Sequence, residues 1–219
     1  MPNVNLPEAL AARVHASMPG RDEPFVIALC GWADTGKSTV AAQLVAALRQ
    51  FGLAADAIST DDFMRDRAER DAIGISGYDL RSIDMAALRA ALVRFLARQA
   101  FGVRRYDNRT GMKSAEASTV SPADVLVVEG IHALHPDLAP HTHLKVFIDA
   151  DEATARELRV RANQRKRGMS AHEAAARVER EWRDYCAWVL PRRERADIVV
   201  QVDLEFGYRE LRSERLSAG

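Results

Sequence analysis

Apolar residues along this chain fall into short runs that alternate with helical stripes. Phe25 to Cys30, Val125 to Val128, Leu144 to Ile148 and Ile198 to Val202 are such runs, as expected of strands buried on both faces. Ala54 to Ser59 predicts a further short strand. Between these segments, Leu6, Leu10, Val14 and Met18 recur every four residues. That spacing predicts a helix over Pro7 to Ser17, with Pro7 suited to the first turn and Pro19 and Gly20 stopping it. A second helix is predicted over Lys37 to Gln50, ended by Gly52. A third follows the stripe Ile83, Leu88, Leu92, Phe95 and Leu96. A fourth starts near Glu152, and Val178, Trp182, Tyr185 and Val189 carry the pattern on behind a Ser170/Glu173 capping box until Pro191. Tyr208 to Leu216 is predicted as a terminal helix.

Alternating strands and helices imply right-handed crossovers and a parallel sheet with helices on both faces, so the fold class is α/β. Two stretches do not fit that rhythm. Gly74 to Leu80, GISGYDL, is too rich in glycine for a helix interior and reads as a loop or hairpin over a site. Val103 to Thr119 is polar, basic and turn-prone, and reads as an insertion leaving the sheet. Arg65 to Asp71, RDRAERD, reads as a solvated face. No repeat or long linker divides the 219 residues, so a single domain over 1–219 is expected.

Composition narrows the class. Hydrophobic residues at 47% and charged residues at 28% are those of a globular protein. Lys plus Arg and Asp plus Glu are 31 each, so charge alone argues for neither a nucleic-acid nor a membrane partner. The N-terminal stretch reads as neither signal peptide nor membrane span. With only Cys30 and Cys186 as cysteines, a reducing cytoplasm with buried thiols is expected. The six histidines are scattered and suggest no zinc site.

The chemistry concentrates at Gly31 to Ser38, GWADTGKS, a full match to GxxxxGK[ST] between a predicted strand and a predicted helix. Backbone N–H groups at a helix start suit a phosphate chain, and Gly31 and Gly36 permit the curl. Asp34, Thr35 and Thr39 complete the nucleotide-binding segment. Lys37 would reach the outer phosphates and Ser38 would offer its hydroxyl to Mg2+. Glu129, at the end of the Val125 strand, stands where a carboxylate would meet the same metal. Asp61 and Asp62, at the exit of the Ala54 strand, offer a base for an acceptor hydroxyl. Adjacent strand residues point to opposite sides, so only one of the pair serves.

From Phe25 to Val202 the chain resembles the uridine kinase and phosphoribulokinase group of P-loop kinases. The resemblance rests on GWADTGKS, Asp61 with Phe63, Tyr78 with Asp79, Tyr106 with Asp107, Glu129-Gly130-Ile131, VFIDAD, RVRANQRKRG and ADIVV, in that order. It implies a P-loop kinase-type sheet with a substrate-side insertion over about 65–120 and an arginine-rich lid over about 156–170. It implies ATP and Mg2+ as cofactors and transfer of the γ-phosphate to a small-molecule hydroxyl. The acceptor implied is a nucleoside such as uridine or cytidine; pantothenate, glycerate, nicotinamide riboside or a sugar phosphate is the alternative. Lys37 and Asp61 become the catalytic residues, with Asp61 the base two positions before Phe63. Phe63, Tyr78, Asp79, Tyr106 and Arg109 would contact the acceptor. Arg159, Arg161, Arg165 and Arg167 belong to the lid, and Arg161, Arg165 and Arg167 are assigned to nucleotide phosphate. The sequence departs from true uridine kinases after the Tyr-Asp pair: NRTGMKS lacks their histidine and carries Arg109 and Lys113, which points toward an acidic or phosphorylated acceptor. A nucleotide-dependent switch or ATPase is the reading from another class, although no NKxD guanine motif is present. A homo-oligomer is left open.

Overall fold

A computed structural model describes residues 3–20 and 22–213. The elements in chain order are α1 (Leu6–Ser17), β1 (Phe25–Gly31), α2 (Lys37–Gln50), β2 (Ala55–Ser59), α3 (Arg67–Ala72), α4 (Met85–Leu96), β3 (Phe101–Val103), β4 (Tyr106–Asp107), β5 (Met112–Lys113), β6 (Ser118–Val120), β7 (Val125–Glu129), β8 (Leu144–Asp149), α5 (Glu152–Arg167), α6 (Ala171–Trp188), β9 (Ile198–Val202) and β10 (Tyr208–Ser213).

The described residues form a main sheet in the order β10-β9-β8-β1-β7-β2. All its pairings are parallel except β10 with β9. β1 is buried along its whole length and supplies both faces of the core. Val26, Ala28 and Cys30 pack with Leu88, Leu92 and Phe95 of α4 and with Val178 and Tyr185 of α6. Phe25, Ile27 and Leu29 pack with Leu10 and Val14 of α1 and Leu44 and Leu48 of α2. Each large side chain so buried contributes about 1.5–3 kcal/mol of transfer free energy, which makes the strand a continuous apolar run. The register sets Leu29 and Ser59 each opposite Glu129 and Gly31 opposite Ile148. The carboxyl ends of the central strands therefore converge on one edge, where open α/β sheets carry their ligands.

Helix starts follow their caps. The Asp84 carboxylate accepts from Ala87 N–H at 2.8 Å ahead of α4, and Ser170 with Glu173 closes the expected capping box ahead of α6. Gly168, left-handed at φ 65°, ends α5 and lets the chain turn directly into α6.

Three expectations change. Tyr208 opens a strand, not a helix: β10 lies antiparallel on β9 with Tyr208 opposite Val202 and a register shift between Glu210 and Arg212. Its charged side chains suit an edge strand, where they oppose pairing with another chain. Residues 214–216 of the predicted helix lie outside the described residues. Within 65–120, α4 belongs to the core layer, and so do Phe101, Val103 and Val120 of the β3/β6 pair. What stands over the site is α3, the glycine loop and the β4/β5 hairpin. Finally, the solvated stretch Arg65 to Asp71 contains α3, and Arg70 within it is buried.

Candidate active site

The phosphate loop is shaped by three left-handed or extended-positive residues. Gly31 has φ 143° and Gly36 φ 87°, while Asp34, at φ 62°, adopts the left-handed region without being glycine. A Cβ on Gly31 would lie 2.2 Å from the Ile148 carbonyl oxygen, and one on Gly36 would lie 2.4 Å from the Tyr208 hydroxyl and 3.2 Å from the Phe206 ring. Only glycine fits at either position. Inside the loop, Thr35 Oγ1 donates to the Trp32 carbonyl at 2.8 Å, and the buried Lys37 ammonium donates to the same oxygen. Burial pulls the Lys37 ammonium below its ordinary range, opposed by the Glu129 carboxylate.

Ser38, in the first turn of α2, donates through Oγ to Glu129 Oε1 at 3.1 Å. Glu129 is buried, and burial raises its carboxyl against the pull of Lys37. A hydroxyl and a buried carboxylate at this distance make an oxygen donor set of the kind hard divalent cations take. Lys37, Ser38 and Glu129, with Asp34 and Asp61, line a cleft of about 670 Å3 that extends to α3, the glycine loop and α6.

Asp61 and Asp62 do differ, but for another reason than strand alternation. Residues Thr60–Phe63 form a 3-10 turn capped by Ser59. Asp62 turns inward: its carboxylate accepts from Ser59 N–H at 3.2 Å, Tyr106 N–H at 3.0 Å and Arg105 at 2.9 Å. Asp61 faces the cleft and accepts from Asn108 Nδ2 at 3.1 Å. Asn108 sits in the NRT stretch, where the sequence offers no signal that its side chain would meet Asp61.

The other expected acceptor contacts divide. Tyr78 lines the cleft, but its hydroxyl accepts from Trp32 Nε1 at 2.5 Å. Trp32 stacks on Tyr185, with ring centroids 5.2 Å apart, and meets Trp182 edge-on at 4.9 Å. Tyr78 thus ties the glycine loop to the phosphate loop. His132, counted above among scattered loop histidines, is buried and its Nε2 lies 3.0 Å from the Gly77 carbonyl oxygen, pinning the same loop. Burial lowers its imidazole to about 4. Asp79 caps the following turn and pairs with Arg81 at 2.6 Å. Phe63 packs against the core. The Tyr106 hydroxyl accepts from Arg70 at 2.6 Å. Arg109 is 83% exposed and lies 3.5 Å from Asp107. Asp79, Phe63, Tyr106 and Arg109 are not among the residues lining the cleft.

The α5 arginines are mostly paired with acids. Arg156 binds Glu152 and Glu179 and lies over the Trp182 ring. Arg161 binds Glu157 at 2.7 Å and faces neither cavity of the site. Arg159 is buried between Glu181, at 2.6 and 2.8 Å, and Asp34. Arg167 lines the cleft while donating to Asn163 at 2.6 Å. Arg165 borders a smaller cavity of about 170 Å3 beside Gly36, Ser38 and Thr39, shared with Lys166 and Phe206. Arg156, Arg159 and Arg161 are thus matched by acids within the fold, while Arg167 is held below its ordinary range by burial and by the like charges of Arg159 and Arg177. On α6, Arg177, Arg180 and Asp184 also line the cleft, and nothing in their plain amphipathic pattern singled them out.

Known proteins share this architecture. A uridine kinase of Deinococcus deserti is 29% identical over 188 residues, spanning 84% of this chain and 90% of its own. A phosphoribulokinase of Synechocystis is 24% identical across 83% of this chain, which spans 54% of that enzyme. Among solved structures, a chain from Silicibacter sp. TM1040, provisionally named a fructose transport system kinase, superposes with a TM-score of 0.76 at 22% identity, covering 90% of this chain and 98% of that one. At that identity the likeness speaks for the fold alone. The phosphate loop, the Ser38–Glu129 pair and strands β2, β7, β8 and β9 fall within residues 26–205, which match the model of the Phosphoribulokinase / Uridine kinase family, and the chain belongs to that family of ATP-dependent small-molecule kinases.

Proposed function

We propose that the protein transfers the γ-phosphate of ATP, with Mg2+, to a hydroxyl of a neutral acceptor, a nucleoside such as uridine or cytidine. The observation that carries this reading is the state of the cations at the acceptor end. Arg67 donates to the Asn108 and Arg109 carbonyl oxygens, Arg70 to the Tyr106 hydroxyl and the Arg65 carbonyl, and Arg105 to Asp62. Arg109 is turned outward. A phosphorylated or acidic acceptor is best held by guanidinium forks whose donors are uncommitted, whereas Arg67, Arg70 and Arg105 spend theirs on holding the 3-10 turn, α3 and the β4/β5 hairpin together. Asp61 shares the cleft with Asn108, Met64, Ile75 and Tyr78 as well as with Arg67 and Arg70, a mixed surface that offers a hydroxylated ring both apolar faces and hydrogen-bond donors. The cationic motif NRTGMKS thus supports a charged acceptor less than its composition implies.

Each residue then has a role. MgATP, when bound, would supply the transferable phosphoryl group and positive charge against its oxygens. Ser38 and Glu129 would hold the metal, and Lys37 would neutralise charge on the outer phosphates. Asp61 would accept the proton of the acceptor hydroxyl, with Asn108 fixing its carboxylate. Arg165 and Arg167, which border the two cavities, are the lid cations best disposed toward the nucleotide. Arg161 is less well disposed. Closure of such a lid would exclude water and favour transfer over hydrolysis.

ADP release measured with uridine, cytidine, nicotinamide riboside, pantothenate, glycerate and ribulose 5-phosphate tests the reading. Stimulation is expected with the neutral nucleosides. Stimulation by glycerate or ribulose 5-phosphate alone would replace the neutral acceptor with a charged one. Equal ADP release with and without every acceptor would favour an ATPase or switch.

A further inference from the structure

Asp34 is out of keeping with its surroundings. It lies inside a loop whose amides and Lys37 collect negative charge, and its carboxylate is 12% exposed and pointed at the cations of α5. It accepts from Lys166 at 2.6 Å and from Arg159. Burial would raise this carboxyl, but the Arg159 and Lys166 charges outweigh it and hold it at about 2. Asp34, Lys166 and Arg159 all line the large cleft, and Asp34 and Lys166 also border the smaller cavity beside Ser38 and Thr39. A carboxylate here stands where phosphate oxygens would find their counter-charges.

The partners are unequal. Arg159 is held independently by its two bonds to Glu181, so its position does not depend on Asp34. Lys166 is 53% exposed, in the last turn of α5. We propose that Asp34 is an internal competitor for the phosphate chain of the nucleotide, reserving Lys166 and Arg159 for itself until ATP exchanges its own oxygens for the carboxylate. Asp34 is then a residue that weakens nucleotide affinity and fastens the end of α5 to the loop, not a ligand of the nucleotide. The inference rests on ATP as the donor and is independent of the acceptor.

Calorimetric titration with a non-hydrolysable ATP analogue and Mg2+, without acceptor, reads it directly. Asp34→Asn is expected to tighten binding about tenfold, within the usual range for coupling between charged sites. Asp34→Ser, equally uncharged but without an amide, should tighten it as well. Unchanged or weaker binding in either folded variant would overturn the proposal and make Asp34 a positioning residue for the α5 cations. Tightening in the Asn variant alone would credit the amide and overturn it too. Failure of the wild-type protein to bind the analogue would instead count against the kinase reading. As a second arm, Lys166→Met in the wild-type protein should weaken binding, because it removes a contested cation. No change there would also overturn the proposal.

Discussion

At the donor end of the cleft, the residues that matter are neighbours in sequence: Gly31 to Ser38 make the loop, and Lys37 and Ser38 already stand on the helix that follows. At the end proposed for the acceptor, Asp61, Met64, Ile75, Tyr78 and Asn108 arrive from separate turns and loops. A contiguous motif carries its geometry with it, since its backbone conformation is local. A dispersed site depends on which side chain reaches which partner, and that is decided by packing. Substitutions at the two ends should therefore fail differently.

The largest effect is expected at the donor end. Lys37→Ala should lower kcat by about 10³ or more, in the range known for removing a preorganised charge from developing negative charge, while the melting temperature stays close to that of the wild type. The buried ammonium donates to a single loop carbonyl, and the Glu129 carboxyl that loses its pull can take up a proton in its place, so little structure depends on it. Near-normal turnover in a folded variant would break the assignment of the loop.

Next comes the pair that sharpens the contrast within two residues. Asp61→Asn should reduce kcat by about 10² with nucleotide binding retained, as losses of a general base do. Asp62→Asn should instead cost stability, about 1–3 kcal/mol, because a buried acceptor of three donors loses its charge, and denaturant unfolding reads that directly. The reverse pattern, with Asp62→Asn inactive but stable, would mean that the inward and outward carboxylates have been exchanged.

The smallest effect is expected at Arg109. Its side chain points to solvent, so Arg109→Ala should leave the acceptor KM within about twofold, the scale of an exposed charge pair. A large rise in KM would return that arginine to the acceptor site.

The same contrast explains what could be read in advance. The strand runs and helical stripes were legible because burial on both faces or one face writes its period into the sequence. The phosphate loop was legible because its motif is contiguous, and the strand-end position of Glu129 because four apolar residues precede it. The inequality of Asp61 and Asp62 was expected, yet its cause was not: a 3-10 turn and Arg105, in the link between β3 and β4, turn Asp62 inward. Asp79, Tyr106 and Arg109 carry plausible chemistry in sequence, but each has a nearby partner that occupies it. The acidic partners of Arg159 were equally hidden. Glu181 lies one helix away and Asp34 lies in the phosphate loop, so only the folded α5/α6 hairpin shows that this charge is matched. β10 misled because a charged edge strand and a charged helix share a composition, and only its pairing with β9 distinguishes them.

Gly36 has a consequence for how the chain is made. The phosphate loop closes against Tyr208 and Phe206, which follow it by most of the chain's length. During synthesis the loop leaves the ribosome first, and at the usual pace of 5–20 residues per second its last wall arrives roughly ten to thirty seconds later. Over that interval β1 and α2 stand beside an absent neighbour, and a nascent chain of this protein presents its nucleotide loop before it has the surface that shapes it.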